Sequence, residues 1–173
     1  RETLTVASKE AAERGFKVHY AVKANFNPVI MKTIAEFGFG ADCVSGNEIE
    51  HAVNCGFPAV ANVFAGVGKS DHEIETGLKL GIKCFNCESP EELKIINEIA
   101  GRMGTNASVA LRINPNVEAH TLWYITTGTD ENKFGIRITE LDKVALLLPH
   151  LKNVSFSGIH FHIGSQITDL HVY

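Results

Sequence analysis

The sequence predicts an α/β fold: an arc of a parallel barrel of the TIM (β/α)8 type, about six of its eight strands, with helices between them. Three observations predict it. Short apolar strands, turns and amphipathic helices alternate along the 173 residues, with successive strands roughly twenty residues apart in the first half. The helices open on a capping side chain, a first-turn proline or an acid. In several strands the bulky apolar residues share one face, and small residues share the other with a charged or titratable group. An open doubly wound sheet, covered on both sides, would carry apolar residues on both faces, so this parity favours the barrel.

The elements follow in order. Candidate strands begin near Lys17, Gly40, Ala61, Ile82, Ser108 and Val154, and patterns such as ELKIINEIA and ELDKVALLL between them run on a helical period. Helix starts are marked by Asn27-Pro28, Ser45-Gly46-Asn47-Glu48, Ser70-Asp71, Ser89-Pro90-Glu91-Glu92 and Thr139-Glu140. In the first strand Val18, Tyr20 and Val22 face one way while His19, Ala21 and Lys23 face the other. Lys23 thus stands at a strand end, where a turn containing Asn25, Asn27 and Pro28 hands over to a helix. In SVALRIN, Val109, Leu111 and Ile113 oppose Ser108, Ala110, Arg112 and Asn114; in SGIHFHIGS, Ile159, Phe161 and Ile163 oppose Gly158, His160 and His162. Asp42 lies on the Gly40 side of the second strand, and Asn86 and Glu88 end the fourth beside Cys84. The connection from Asn114 to Arg137 is too long for a simple strand-to-helix turn, and long loops in compact domains are usually functional.

Composition narrows the function. A net charge of −4 with no long cationic run removes the electrostatic reason to expect nucleic acid or an anionic membrane as partner. No apolar run approaches the ~20 residues of a membrane span, and residues 1–17 lack the apolar core of a signal peptide, so a cytoplasmic enzyme or binding domain is expected. Cys43, Cys55, Cys84 and Cys87 sit in or beside apolar segments, as reduced packed thiols do. The CxxC of Cys84 and Cys87 lies on a strand, where an offset of three turns the sulfurs to opposite faces, and no second pair completes a zinc site.

If the sheet curls as proposed, Lys23, Asp42, Arg112, His162 and Ser165 meet at one barrel mouth, with Gly164 beside Ser165. An amine, a carboxylate, a guanidinium, an imidazole and a hydroxyl together suit an anionic aromatic aldehyde cofactor. The lysine would form an imine, favoured by partial burial and a cationic neighbour that lower its pKa; the imidazole would stack on the ring, and the hydroxyl and glycine-flanked amides would hold a phosphate. Two readings from other classes stand beside this one. His160 and His162 form an HxH on one face, as in barrel hydrolases with a metal-activated water, and a barrel can also serve as a binding module without catalysis. His19 reads as a packed strand residue, and His51 as a surface or helix-end residue.

The motifs YAVKAN, GADCVSGNE, FAGVGKS, FNCES, LRINPNV, ITTGTDENKFGI and GIHFHIGSQ, in this order and spacing, resemble those of the fold-type III pyridoxal-phosphate-dependent decarboxylases, which share the alanine racemase-like barrel. The resemblance runs from Phe16 to about Leu170. It implies pyridoxal 5'-phosphate as cofactor, Lys23 as the residue forming the Schiff base, His162 stacked on the ring, Ser165 at the phosphate, and Asp42 and Arg112 in the surrounding polar network. The wording of ADCVSGNE, INPNV and HIGSQ leans towards the members that convert meso-diaminopimelate to L-lysine and carbon dioxide; ornithine, arginine and carboxynorspermidine decarboxylases share the lysine and histidine motifs. The resemblance also implies no metal, a homodimer for the full-length enzyme, and a pairing of Lys133 with an acid of the partner subunit, beside which the reading of Lys133 as a solvated loop charge stands equally. Leu122 stands where members carry a second histidine. Residues 1–173 are then expected to be a single incomplete cofactor-binding barrel domain, lacking the last two barrel units and the C-terminal β-domain, with open sheet edges and no activity of its own.

Overall fold

The structure, a computed structural model, describes residues 1–114 and 134–164. Two compact units make up the chain, Arg1–Phe85 and Asn86–Tyr173.

In the first unit α1 (Glu2–Glu13) precedes β1 (His19–Ala21), α2 (Pro28–Ala35), β2 (Gly40–Cys43), α3 (Gly46–Asn54), β3 (Val63–Phe64) and α4 (Asp71–Leu80), and the chain then enters β4 (Cys84–Cys87). Successive strands pair in parallel, aligning Ala21, Asp42, Val63 and Cys84 across the sheet and, on the next rung, Cys43, Phe64 and Phe85. Cys43, Phe64 and Phe85 are almost wholly buried, and the two rings lie 6.1 Å apart in a tilted pair. The smaller and polar rung occupies the opposite face, as the parity predicts. The sequence signals do not point to α1, which has no side-chain cap and buries none of its residues.

Each turn into α3, α4 and α5 (Pro90–Arg102) uses a Ser-x-x-Glu pattern. Ser45, Ser70 and Ser89 accept hydrogen bonds from the amides of Glu48, Glu73 and Glu92. Each glutamate reaches back in turn: Glu48 to the amide of Val44 at 2.7 Å, Glu73 to that of Ser70 at 3.0 Å, and Glu92 to that of Glu88 at 2.7 Å. Amides that no helical carbonyl can reach are thereby satisfied. Glu73 does more than cap its own helix, since its other oxygen accepts from Gly46 at 2.9 Å and ties the start of α3 to the start of α4.

The second unit is organised on β5 (Ala107–Asn114), which pairs in parallel with β7 (Val154–His160) from Ala107 to Arg112 and with β6 (Ile136–Arg137) at Ile113 and Asn114. The two-residue β6, at the end of the long connection, is an element the pattern reading does not contain. α5 buries Leu93, Ile96, Ile99 and Ala100, a spacing that keeps one face inward. Asn153 donates twice to Asn97, from its amide to Oδ1 at 2.9 Å and from Nδ2 to the backbone carbonyl at 3.2 Å, which docks α5 on the approach to β7. Thr139-Glu140 does not cap α6 (Leu141–Leu147) as expected; a 3-10 turn over Ile138–Glu140 leads into the helix instead, with no side-chain cap.

In β7 the register slips between Val109 and Ala110, so that Val109 pairs with Phe156 and Ala110 with Gly158. Ser157 is the extra residue, and its hydroxyl donates to the Val109 carbonyl at 3.0 Å. The bulge puts Phe156 on the same face as Ile159, three residues on, and leaves Gly158 and His160 on the small-residue face with Ala110 and Arg112. Phe156 and Ile159 are 52% and 65% exposed, so the described helices cover the β5 part of that apolar face but not its β7 part.

The carboxylate of Glu73 is held below the ordinary range by the amides of Gly46 and Ser70 and by the Ser70 hydroxyl. Its contribution is therefore complete above the unfolded value of ~4.3 and disappears as pH falls through the lower folded value. Glu73→Gln should cost about 1 kcal/mol near neutrality, and chemical denaturation against pH should show less acid sensitivity in the variant than in the wild type.

Candidate active site

Lys23 sits not on β1 but in the 3-10 turn Val22–Ala24 that follows it. The strand ends at Ala21, and Val22 takes the fully buried position. Lys23 is exposed, so the partial burial expected of it is not found in this structure. The turn is nevertheless well pinned. Tyr20 Oη donates to the Asn25 carbonyl at 3.1 Å, Asn25 Oδ1 accepts from the Asn27 amide at 3.0 Å, and Asn27 Oδ1 caps α2 by accepting from Val29 at 2.9 Å. His51, on α3, closes the far end by donating from Nε2 to the Phe26 carbonyl at 2.7 Å. The asparagines around the lysine are thus turn-building residues.

Asp42 lies in β2, one register position across from Ala21. Beneath it the sheet is tightly built. Gly40 can hold no side chain, because a Cβ there would stand 2.1 Å from the Ala61 carbonyl oxygen and 2.5 Å from the His19 ring. His19 is packed as expected, and burial together with nearby Lys83 lowers its pKa. Asn62, fully buried, accepts from the Ala41 amide through Oδ1 at 3.2 Å; the pattern reading assigns it no role.

In the second unit Arg112 Nη1 donates to Glu88 Oε1 at 2.6 Å, with both side chains largely buried. Its guanidinium carbon also stands 5.5 Å from the centre of the Phe134 ring. Glu88 is absent from the residues predicted for the site; a carboxylate closing an apolar strand was the available signal, since a buried acid requires a partner. Arg112 pairs in register with His160, the last residue of β7. His162 and Gly164 follow beyond the strand, both partly buried. Ser165, Lys133 and Leu122 lie outside the described residues. Among the described residues no group of three His, Cys, Asp or Glu side chains could hold a metal ion.

Residues 2–173 match the family described as "Pyridoxal-dependent decarboxylase, pyridoxal binding domain". The chain belongs to this family. Among curated members, the diaminopimelate decarboxylase of Bacteroides thetaiotaomicron is 56% identical over 171 residues, which cover 98% of this chain and 44% of that protein. The diaminopimelate decarboxylase of Helicobacter pylori, solved with L-lysine, superposes with a TM-score of 0.92 at 44% identity, over 98% of this chain and 43% of that one. The diaminopimelate decarboxylase from M. jannaschii gives a TM-score of 0.89 at 38% identity, over 99% of this chain and 42% of that one. The chain thus spans less than half the length of these relatives. The likeness agrees with the partial α/β barrel expected from the sequence.

The residues present suit this family's cofactor. Lys23 offers an exposed primary amine on a fixed turn after β1, and the second unit offers a guanidinium, an imidazole and a glycine at and beyond strand C-terminal ends. Those are the groups an aldehyde, a ring and an anionic substituent require.

The four cysteines are free and buried, as expected. Burial, followed by the charges of Glu48 and Asp42, pushes the Cys43 thiol up to about 12, so thiolate is scarce at about pH 8. Iodoacetamide labelling read by mass spectrometry should leave Cys43 unmodified in the native protein and modify it on unfolding.

Proposed function

We propose that the protein containing this chain decarboxylates meso-diaminopimelate to L-lysine and carbon dioxide with pyridoxal 5'-phosphate. The observation that carries the reading is the match to the pyridoxal-binding family across nearly the whole chain, together with 56% identity to a diaminopimelate decarboxylase. When bound, the cofactor supplies an electron sink for the charge left on the α-carbon as carbon dioxide departs.

The chain's own residues do the rest of the work assigned to this domain. Lys23 would hold the cofactor through its ε-amine, and its turn, locked by Asn25 and Asn27, fixes where the nitrogen can reach. His162 would lie against the ring, Asp42 and Arg112 would belong to the polar network around it, and Gly164 with Ser165 would hold the phosphate. The full-length protein acts as a homodimer in the cytoplasm; among the described residues no helix is long and apolar enough to cross a membrane.

The test uses the full-length protein supplied with cofactor. Carbon dioxide release should be faster from meso-diaminopimelate than from ornithine, arginine or carboxynorspermidine. Lys23→Ala should reduce kcat by about 1,000-fold or more, equivalent to ~4 kcal/mol of barrier. Equal turnover of ornithine would reassign the substrate, and full activity in the lysine variant would remove Lys23 from the mechanism.

A further inference from the structure

We propose that Glu88 is a positioning residue for Arg112, holding its guanidinium in the orientation in which it serves the cofactor site; this rests on the reading of Arg112 given above. Four observations within the second unit carry it. Arg112 and Glu88 form a 2.6 Å ion pair whose side chains are only 12% and 6% exposed. Glu88 is itself anchored, because its amide donates to Glu92 Oε2 at 2.7 Å within the motif that starts α5. On the other side of the guanidinium stands Phe134. The segment carrying Phe134 approaches closely because Gly135, at φ 85°, has no Cβ, which would lie 3.0 Å from the Arg112 carbonyl oxygen and 3.3 Å from Arg112 Cγ.

The energetics point away from a purely stabilising role. Glu88 Oε2 is also buried and has no hydrogen-bond partner among the described residues, so desolvation of the carboxylate is only partly offset, and a buried ion pair is weak support for stability in any case. What the pair does provide is direction. A guanidinium has five N–H donors in a rigid plane; among the described residues Glu88 takes its bond through Nη1, and clamping that one nitrogen fixes where the others point. A cofactor or substrate oxygen approaching Arg112 would then meet a preset donor array, without the loss of side-chain freedom otherwise incurred on binding.

A mutant cycle on the full-length protein tests this, read by absorbance titration of the apo-protein with pyridoxal phosphate and by separate kcat and KM values. Glu88→Gln, close in shape, should raise the cofactor dissociation constant by about tenfold. Arg112→Gln should raise it at least as much, and the double variant should be no worse than Arg112→Gln alone, because Glu88 acts through the arginine. If Glu88→Gln does not fold, Glu88→Asp keeps the charge, withdraws the carboxylate by one methylene and enters the same cycle. An Arg112→Gln variant that binds cofactor normally would overturn this inference together with the role given to Arg112. Effective Arg112→Gln with a silent Glu88 substitution, or losses that simply add, would overturn the inference alone.

Discussion

The strand-to-helix turns after β2, β3 and β4 depend on a single interaction, a glutamate in the first helical turn bonded back to a backbone amide at the helix start. A tight turn leaves several amides without helical partners. Here one carboxylate satisfies such an amide, complements the positive end of the helix, and fixes the angle at which the chain leaves the strand. Two residues of chemical interest lie on or next to these turns. Asp42 precedes the one held by Glu48, and Glu88 belongs to the one held by Glu92. Where that angle were lost, the side chains at the strand ends would lose their common reference.

Much of this was legible because it is local. Ser-x-x-Glu is readable as three cap signals before any coordinates, and the asparagines near Lys23 as a turn. The alternation in SVALRIN survives intact, with Val109, Leu111 and Ile113 buried. What escaped was set by distant partners or by weak signals. The Arg112–Glu88 pair joins residues 24 apart in sequence, and Asn62 acts on an amide 21 residues away; neither separation leaves a periodic trace. α1 has no cap and no buried stripe to announce it, and β6 is too short to show alternation. The placement of Lys23 on the strand failed because alternation says nothing about where a strand stops, and the chain leaves extended geometry after Ala21.

The two units also differ in how they make room for close approach. In the first, absence of a side chain at Gly40 lets the His19 ring lie against the sheet; in the second, Gly135 lets a loop end close on β5. Both are places where the backbone itself is the contact surface, so the residue type is dictated by a neighbour and not by local conformation alone.

The bulge at Ser157 makes the strand carrying His160 an alignment device counted in single residues. Upstream of it the odd-numbered Ser155 shares the small-residue face; downstream the even-numbered Gly158 and His160 do. Pairing the same seven residues without the bulge would leave the composition of β7 unchanged, yet would exchange the destinations of His160 and Ile159, whereas removing Ser157 alone would straighten the ladder and keep them. For any variant or relative with an insertion or deletion in this strand, histidine identity alone is therefore an unsafe guide to function, because the count of residues from the bulge decides which way the imidazole faces.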